Sequence, residues 1–436
     1  MRFRDVLLVI VLLFAGLVVY QAQTGNWGIH FGDGDEEFMV WGGRAFTFEE
    51  SRTIEAPLPA RLEVDNSHGW VEVRGDDQET VRLTFQKKIW RRNEAEARAV
   101  ADKLRFKIDR SADLLLLATN REEFTKRNFE TGFILTVPRR LTVVIANSYG
   151  LVKASSVHGI DVRNRHGRVS VSDIEDACVL ESTYEDIEAQ DLKAGCRITN
   201  KHADIRVVGA AGDLLIDHAY GEVRFEDIRG KADISGSHSE ITGRRVGGPV
   251  FVETSYEKIS LADTGAARVR ARHCPVEAGD IRGGLDVETT YEPVKAVNIL
   301  GDLRVNGNNV EVTGSLIKGR EISIETSYEN VDLAEFSAKV AVVLRHGDLL
   351  LRPSDLKFPV DVRAEYCDID FYWPAGEAVP LEAQSHGGSV RWDLSGRPAV
   401  EKSNGTSIIK AFVENSGGPG VYLSTTYGEI RLQEKR

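Results

Sequence analysis

The sequence predicts an all-β fold, a single-stranded parallel β-solenoid wound as a right-handed β-helix of about 18 residues per rung, with a small α+β cap at its N-terminal end. Three observations carry this prediction. First, Tyr149, His166, Tyr184, His202, Tyr220, His238, Tyr256, His273 and Tyr291 follow one another at intervals of 17 or 18 residues, and the beat returns at Tyr328, His346, Tyr366 and, loosely, His386. Isolated copies stand at His68 and Tyr427. Second, with each of these rings as position zero, −4 is aliphatic (Ile145, Val162, Leu180, Ile198, Ile216, Ile234), −6 is small or aliphatic, +3 and +5 are apolar, and +8 is often apolar. Apolar residues two apart with polar residues between them are the period of a strand with one buried face. Third, the Tyr and His half-periods share one apolar template. A β-propeller, the competing all-β reading with blades near the full 36-residue period, needs four dissimilar strands per blade.

Taken in order, residues 1–23 read as a signal sequence or membrane anchor. Arg2 and Arg4 precede an uninterrupted apolar run, residues 6–20, and Tyr20 stands where signal cleavage wants a small residue. Residues 24–60 read as a tether. Its acidic run Gly32-Asp33-Gly34-Asp35-Glu36-Glu37 lacks the glycine and distal glutamate of a calcium loop, since Phe38 and Arg44 fill those places. Residues 61–140 hold the first rung, around His68, and a strand–helix–strand cap. Its helix is expected over 93–104, with Asn93 as N-cap and Glu96 in the capping-box place. The regular solenoid spans 141–392. Each unit should hold two short strands, a turn after the ring, where Gly150, Gly167, Gly221 and Gly347 make a positive φ cheapest, and a third apolar segment at +8. Looser rungs and a C-terminal cap occupy 393–436.

Chemistry is less legible. A net charge of −12 with acids and bases interleaved disfavours a nucleic-acid partner. Cys178 and Cys196 both occupy −6 on adjacent rungs, so the spacing allows a disulfide, with two buried core thiols as the other reading. Cys274 and Cys367, both at +1, are several rungs apart. The histidine series suggests a metal ladder, but a tyrosine separates successive histidines and puts them ~10 Å apart, too far to share an ion. The parity of −4, −2 and 0 predicts rings turned inward above a polar −2 column (Asn66, Asn147, Asn164, Ser182, Asn200, Thr254, Thr289, Thr326), a structural ladder. Glu185, Glu257, Glu292 and Glu329 follow tyrosines. Glu257 and Glu292, ~10 Å apart, would lie near the upper limit of an inverting glycosidase pair but on a regular face. No catalytic residue, cofactor or metal site is assigned.

The stretch Phe133-Ile-Leu-Thr-Val-Pro138-Arg-Arg-Leu141-Thr-Val143, followed by V-x-N-x-[YH]-G-x-V-x-V units, resembles the bacterial "putative adhesin" family of β-strand-repeat envelope proteins, a domain family of unknown function. The likeness spans most of residues 61–436. The resemblance implies an exported or membrane-anchored solenoid in the bacterial envelope and supplies no binding residue.

The expectation is therefore a non-enzymatic, envelope-associated, adhesin-like solenoid, exported and either held to a membrane through residues 6–20, facing the periplasm or the extracellular space, or secreted if the N-terminus is cleaved. Its partner would be an envelope protein or a glycan. Two alternatives are a polysaccharide-active β-helix enzyme and a self-associating envelope scaffold, the latter because open sheet edges invite strand addition.

Overall fold

The computed structural model describes residues 43–412 and 420–434, together with the backbone of a short antiparallel pair, His30–Phe31 with Phe38–Met39. The apolar run at 6–20 and the acidic run at 32–37 lie outside the described residues. Among the described residues no helix is long and apolar enough to cross a membrane. The fold is a parallel β-solenoid of about 13 turns with about 18 residues per rung. Each strand hydrogen-bonds in parallel to its own copy one rung away, a register that radial blades would not produce. By contact density the chain divides into two units, 1–167 and 168–436.

In the first unit, the His68 rung consists of strands Arg61–His68 and Val71–Asp76, and the Tyr149 rung of Thr142–Tyr149 and Val152–Val157. They stack in parallel register, with Leu62 opposite Val143 and Val64 opposite Ile145. The other side of the His68 rung is covered by chain from later in the sequence. Leu114–Thr119 pairs with Arg61–His68, and Phe129–Pro138 with Val71–Asp76. The cap then folds back in antiparallel order: Val81–Arg91 pairs with Phe129–Pro138, and Arg44–Ile54 pairs with Val81–Arg91 along 11 residues. Residues 44–54 are thus part of the cap and not of a tether, because their backbone completes the ladder of Val81–Arg91. The helix runs Glu94–Ala101. Asn93 accepts from the Glu96 N–H and donates to its carboxylate, and Ala97 and Ala101 are buried.

In the second unit a typical rung has two strands, for example Cys178–Glu181 with Ile187–Leu192, then Cys196–Asn200 with Ile205–Ala210, whereas in the Tyr220 and His238 rungs a single strand runs through the corner, Leu214–Ile228 and Ala232–Val246. The core is the stack of columns −6, −4, +3, +5 and +8, and every aliphatic residue at −4 and +3 in these rungs is buried. Burial of each such side chain stabilises the stack by about 1.5–3 kcal/mol. The apolar residue at +8 is not a separate segment. It ends the second strand, after a corner at +7 where Asp173, Asp191, Asp227, Asp263, Asp280 and Asn298 take φ between 52° and 60°. One left-handed residue interrupts the alternation, so +8 points inward although its parity with +5 is odd. The +5 column is tuned by size: Gly243 sits between Phe225 and Leu261, and a Cβ there would collide with the Phe225 ring.

The C-terminal end is also interleaved. Val360–Glu365 and Leu381–His386 both pair in parallel with Val421–Thr426, and Ile369–Trp373 and Val390–Asp393 both pair with Ile430–Glu434. The Tyr427 rung therefore lies between the Tyr366 and His386 rungs. The outer layer is an antiparallel set in which Thr406–Ala411 pairs with Leu381–His386 and with Ala399–Ser403.

Candidate binding surface

The corner at position zero is built from the backbone outward. From Tyr220 on, the ring-bearing residue itself takes a left-handed conformation: Tyr220 58°, His238 54°, Tyr256 78°, His273 56°, Tyr291 67°, Tyr328 63°, His346 59° and Tyr366 56°. Apart from Asn404 and Phe412, every described non-glycine residue with positive φ stands at position zero or +7. The expectation that glycine at +1 alone carries this conformation holds for Gly69 and Gly150, where the ring residue has negative φ, and fails further along. A left-handed residue costs about 1–2 kcal/mol, and from Tyr220 to Tyr328 the chain accepts it at two corners per rung because both strands then keep their apolar faces inward.

The same conformation corrects the predicted direction of the rings. They point outward. From Tyr220 on, the left-handed residue breaks the period-two alternation that linked −4, −2 and 0, so −2 remains inside while position zero turns to solvent; Tyr184 is exposed without it. Tyr184, Tyr220, Tyr256, Tyr291, Tyr328, Tyr366 and Tyr427 are 47–62% exposed. In the first unit His68, Tyr149 and His166 stack with centroids 4.4 and 4.6 Å apart. In the second, Tyr184, His202, Tyr220, His238, Tyr256, His273 and Tyr291 stack at 4.6–5.5 Å with interplanar angles of 7–20°. A separate run comprises Tyr328, His346, Tyr366 and Tyr427 at 4.8–5.1 Å. His386 meets Tyr427 edge-on at 6.3 Å. Within these stacks the ring faces contact one another and the tyrosine edges face solvent, while Nδ1 of His68 and of His238 is buried.

Beneath the rings, the −2 column ties the corner together. Asn164 Nδ2 donates to the Gly150 and Gly167 carbonyls at 2.9 and 2.8 Å, and Asn200 Nδ2 to those of Glu185 and Ala203 at 3.1 and 3.2 Å. Thr425 and Ser385 hydroxyls donate to the Cys367 and Gly428 carbonyls at 2.8 and 2.7 Å. These contacts satisfy the inward-facing carbonyls at +1 of two successive rungs. Where −2 is too small to reach, +1 fills the space: Gly236, Ala271, Gly307 and Ala364 go with the buried Ser239, Cys274, Val310 and Cys367. Cys274 and Cys367 are therefore packing residues, and burial raises both thiols' pKa values. His218 takes the −2 place under Tyr220 and bridges Ser239 Oγ and the Ala203 carbonyl, both at 2.8 Å; burial lowers its pKa. His68, against Arg121 and Arg127, is lowered to about 4, first by burial and then by those two guanidiniums.

Cys178 and Cys196 lie directly opposite in register, with sulfurs 2.8 Å apart and both thiols free. The glutamates at +1 do not converge: Glu257 and Glu329 stand in solvent, Glu292 is half-buried, and the buried Cys274 occupies the rung between Glu257 and Glu292. Among the described residues no group of three His, Cys, Asp or Glu side chains could hold a metal. A shallow depression of about 460 Å³ at the +7 corner is lined by Asp191, Asp227, Asp263, Arg245 and Arg282, and two of its acids are engaged, Asp227 with Arg245 and Asp263 with Arg282, both at 2.7 Å. The exposed tyrosine edges form a repeating polar array along the corner. The period of the sequence located these residues; the backbone conformation that exposes them carries no period-two signal.

No family model and no curated protein matches the chain. Among solved structures, a crystal structure described as a "putative cell adhesion protein" from Clostridium sporogenes is similar over 89% of this chain and 100% of its own, at 10% identity and with a TM-score of 0.18. A likeness with so low a score says nothing about function.

Proposed function

We propose that this chain is a non-enzymatic, envelope-associated display protein that binds an envelope protein or glycan along its exposed Tyr/His corner, with residues 6–20 holding it to a membrane. The observation that carries this reading is the outward direction of the rings. A ladder needed only for packing would be served by buried rings, whereas here large aromatic side chains stand in solvent on successive rungs, from Tyr220 to Tyr366 on residues held in the left-handed conformation. Tyrosine hydroxyls and histidine nitrogens recur on a rigid repeat, each kind about 10 Å from the next. Such edges suit hydrogen bonding to a long, repetitive or extended partner. The sequence resemblance to an envelope family agrees with this placement.

The test is a binding screen of the full chain against glycans and envelope proteins, with hydrolysis products measured in the same wells. Saturable binding that weakens when Tyr220, Tyr256 and Tyr291 are changed together to serine supports the reading. Turnover of a glycan would replace it with an enzyme.

A further inference from the structure

The aromatic stack is interrupted once in the middle of the second unit. The rung between Tyr291 and Tyr328 has Asn309 at position zero, left-handed like its neighbours at 58°. Its place is fixed by register: Thr290 lies opposite Asn308, Asn306 opposite Glu325, and the Asn309 N–H donates to the Ser327 carbonyl at 2.9 Å. The corner beneath is locked, because Thr326 Oγ1 donates to the Val310 carbonyl at 2.9 Å and Val310 fills the space left by Gly307. Tyr291 stacks on His273 at 4.9 Å and Tyr328 on His346 at 4.8 Å, so each presents its other face to the Asn309 rung. These two are the most exposed tyrosines of the ladder, at 60% and 62%.

The result is a slot about 9.6 Å across, two rungs wide, with an aromatic face on each side. An asparagine carboxamide is shorter than an imidazole or phenol, so the outer part of the slot is open where every other interior rung of this stack carries a ring. A planar group entering there would sit about 4.8 Å from both rings, the spacing the ladder uses elsewhere. The rim selects among planar groups. In the columns beside the slot (−1, +1 and +2) the three rungs carry Glu292, Glu311 and Glu329 and no Lys or Arg. Arg272 and Arg345, the nearest cations along the −1 column, each lie two rungs from Asn309.

We propose that the slot between Tyr291 and Tyr328 is a binding site for an arginine side chain of a protein partner, whose guanidinium takes the place of the missing ring. A guanidinium is planar, permanently charged and weakly hydrated, and it stacks on tyrosine faces while its edge donates to carboxylates. A lysine ammonium has the charge without the plane, and a neutral ring has the plane without the charge. The site rests on the reading of this corner as a display surface and narrows the partner to one that offers exposed arginine.

The experiment uses the full chain labelled with 3-fluorotyrosine, titrated with N-acetylarginine amide and, separately, with its lysine and citrulline counterparts. Arginine should shift the Tyr291 and Tyr328 resonances saturably, bind roughly 5–30-fold more tightly than citrulline, the worth of two exposed cation–π contacts, and bind more tightly than lysine, whose ammonium lacks the plane that stacks. Asn309→His closes the slot with the ladder's own kind of residue, so it should fold, and it should abolish those shifts. Equal response to lysine or citrulline, shifts spread evenly over all ladder tyrosines, or unchanged arginine binding in Asn309→His would each overturn the site. The titration reports on the slot directly. A failed partner screen with a positive titration would therefore remove the display reading and leave the site standing.

Discussion

At the scale of single residues, the corner works by complementarity between −2 and +1, and the +5 column by complementarity between successive rungs. Gly243 makes room for Phe225, so Gly243→Ala should destabilise the second unit by about 1–3 kcal/mol through overpacking. Phe225→Leu added to it should recover part of that loss, a coupling readable in a double-mutant cycle of urea denaturation midpoints. Additive effects would show that the two positions do not share the space. His68 supplies a pH dependence. The unfolded chain binds this proton near 6.5 and the folded chain near 4, chiefly because the ring is buried and then because Arg121 and Arg127 are close. Its folded pKa is depressed, so its contribution is complete above about pH 6.5 and is lost as pH falls through about 4. Denaturation of the wild type and of His68→Gln across that window should show the wild type losing more stability than the variant. Parallel curves would mean that His68 titrates alike in both states.

At the scale of the rung, the apolar columns were legible in the sequence because period-two spacing is a direct consequence of strand geometry, and Val169, Ile187 and Ile205 lie where that spacing puts them. What was not legible is where the alternation stops. Tyr256 is a poor candidate for a left-handed conformation by residue type, although His273 is of a type that tolerates it, and the neighbours of both in sequence follow the parity that would turn the rings inward. The +7 corner did leave a trace, since Asp173, Asp191, Asp227, Asp263, Asp280 and Asn298 are of the types that tolerate positive φ. Read as a column they announce a second turn. Adjacent rungs also bring Cys178 and Cys196 together. The Cys196 thiol is pushed up in pKa by its contact with Cys178 and by burial, which withholds the thiolate that exchange requires. A disulfide there should form during folding and resist formation afterwards. Refolding with oxidised glutathione, then alkylation in denaturant, should leave Cys274 and Cys367 labelled and Cys178 and Cys196 protected, whereas oxidant added to native protein should leave all four labelled. Full labelling after oxidative refolding would exclude the bond.

At the scale of the molecule, both described ends are interleaved: the His68 rung lies beneath strands that come later in the chain, and the Tyr427 rung lies between two that come earlier. Neither arrangement could be read from the sequence, because each rung carries the same apolar template and any copy could pair with any other. The antiparallel layers beyond them cover edges that would otherwise add strands from another molecule. Deleting residues 420–436 should therefore remove hydrogen-exchange protection from 381–412 as well as from the deleted rung's neighbours, and should promote aggregation, while the rungs around Tyr220 stay protected. Retained protection in 381–412 would show that this layer can dock directly on Val360–Glu365. Interleaving also imposes a timetable. Val360 finds its outer partner 61 residues downstream, in Val421, and Arg61 finds its two partners at Leu114 and Thr142. Rungs such as those at Tyr220 and His238 can close as soon as 18 further residues are available, whereas the end rungs must wait, open, for distant chain. The repeat can thus zip locally and early, and the steps that seal it against further growth come late.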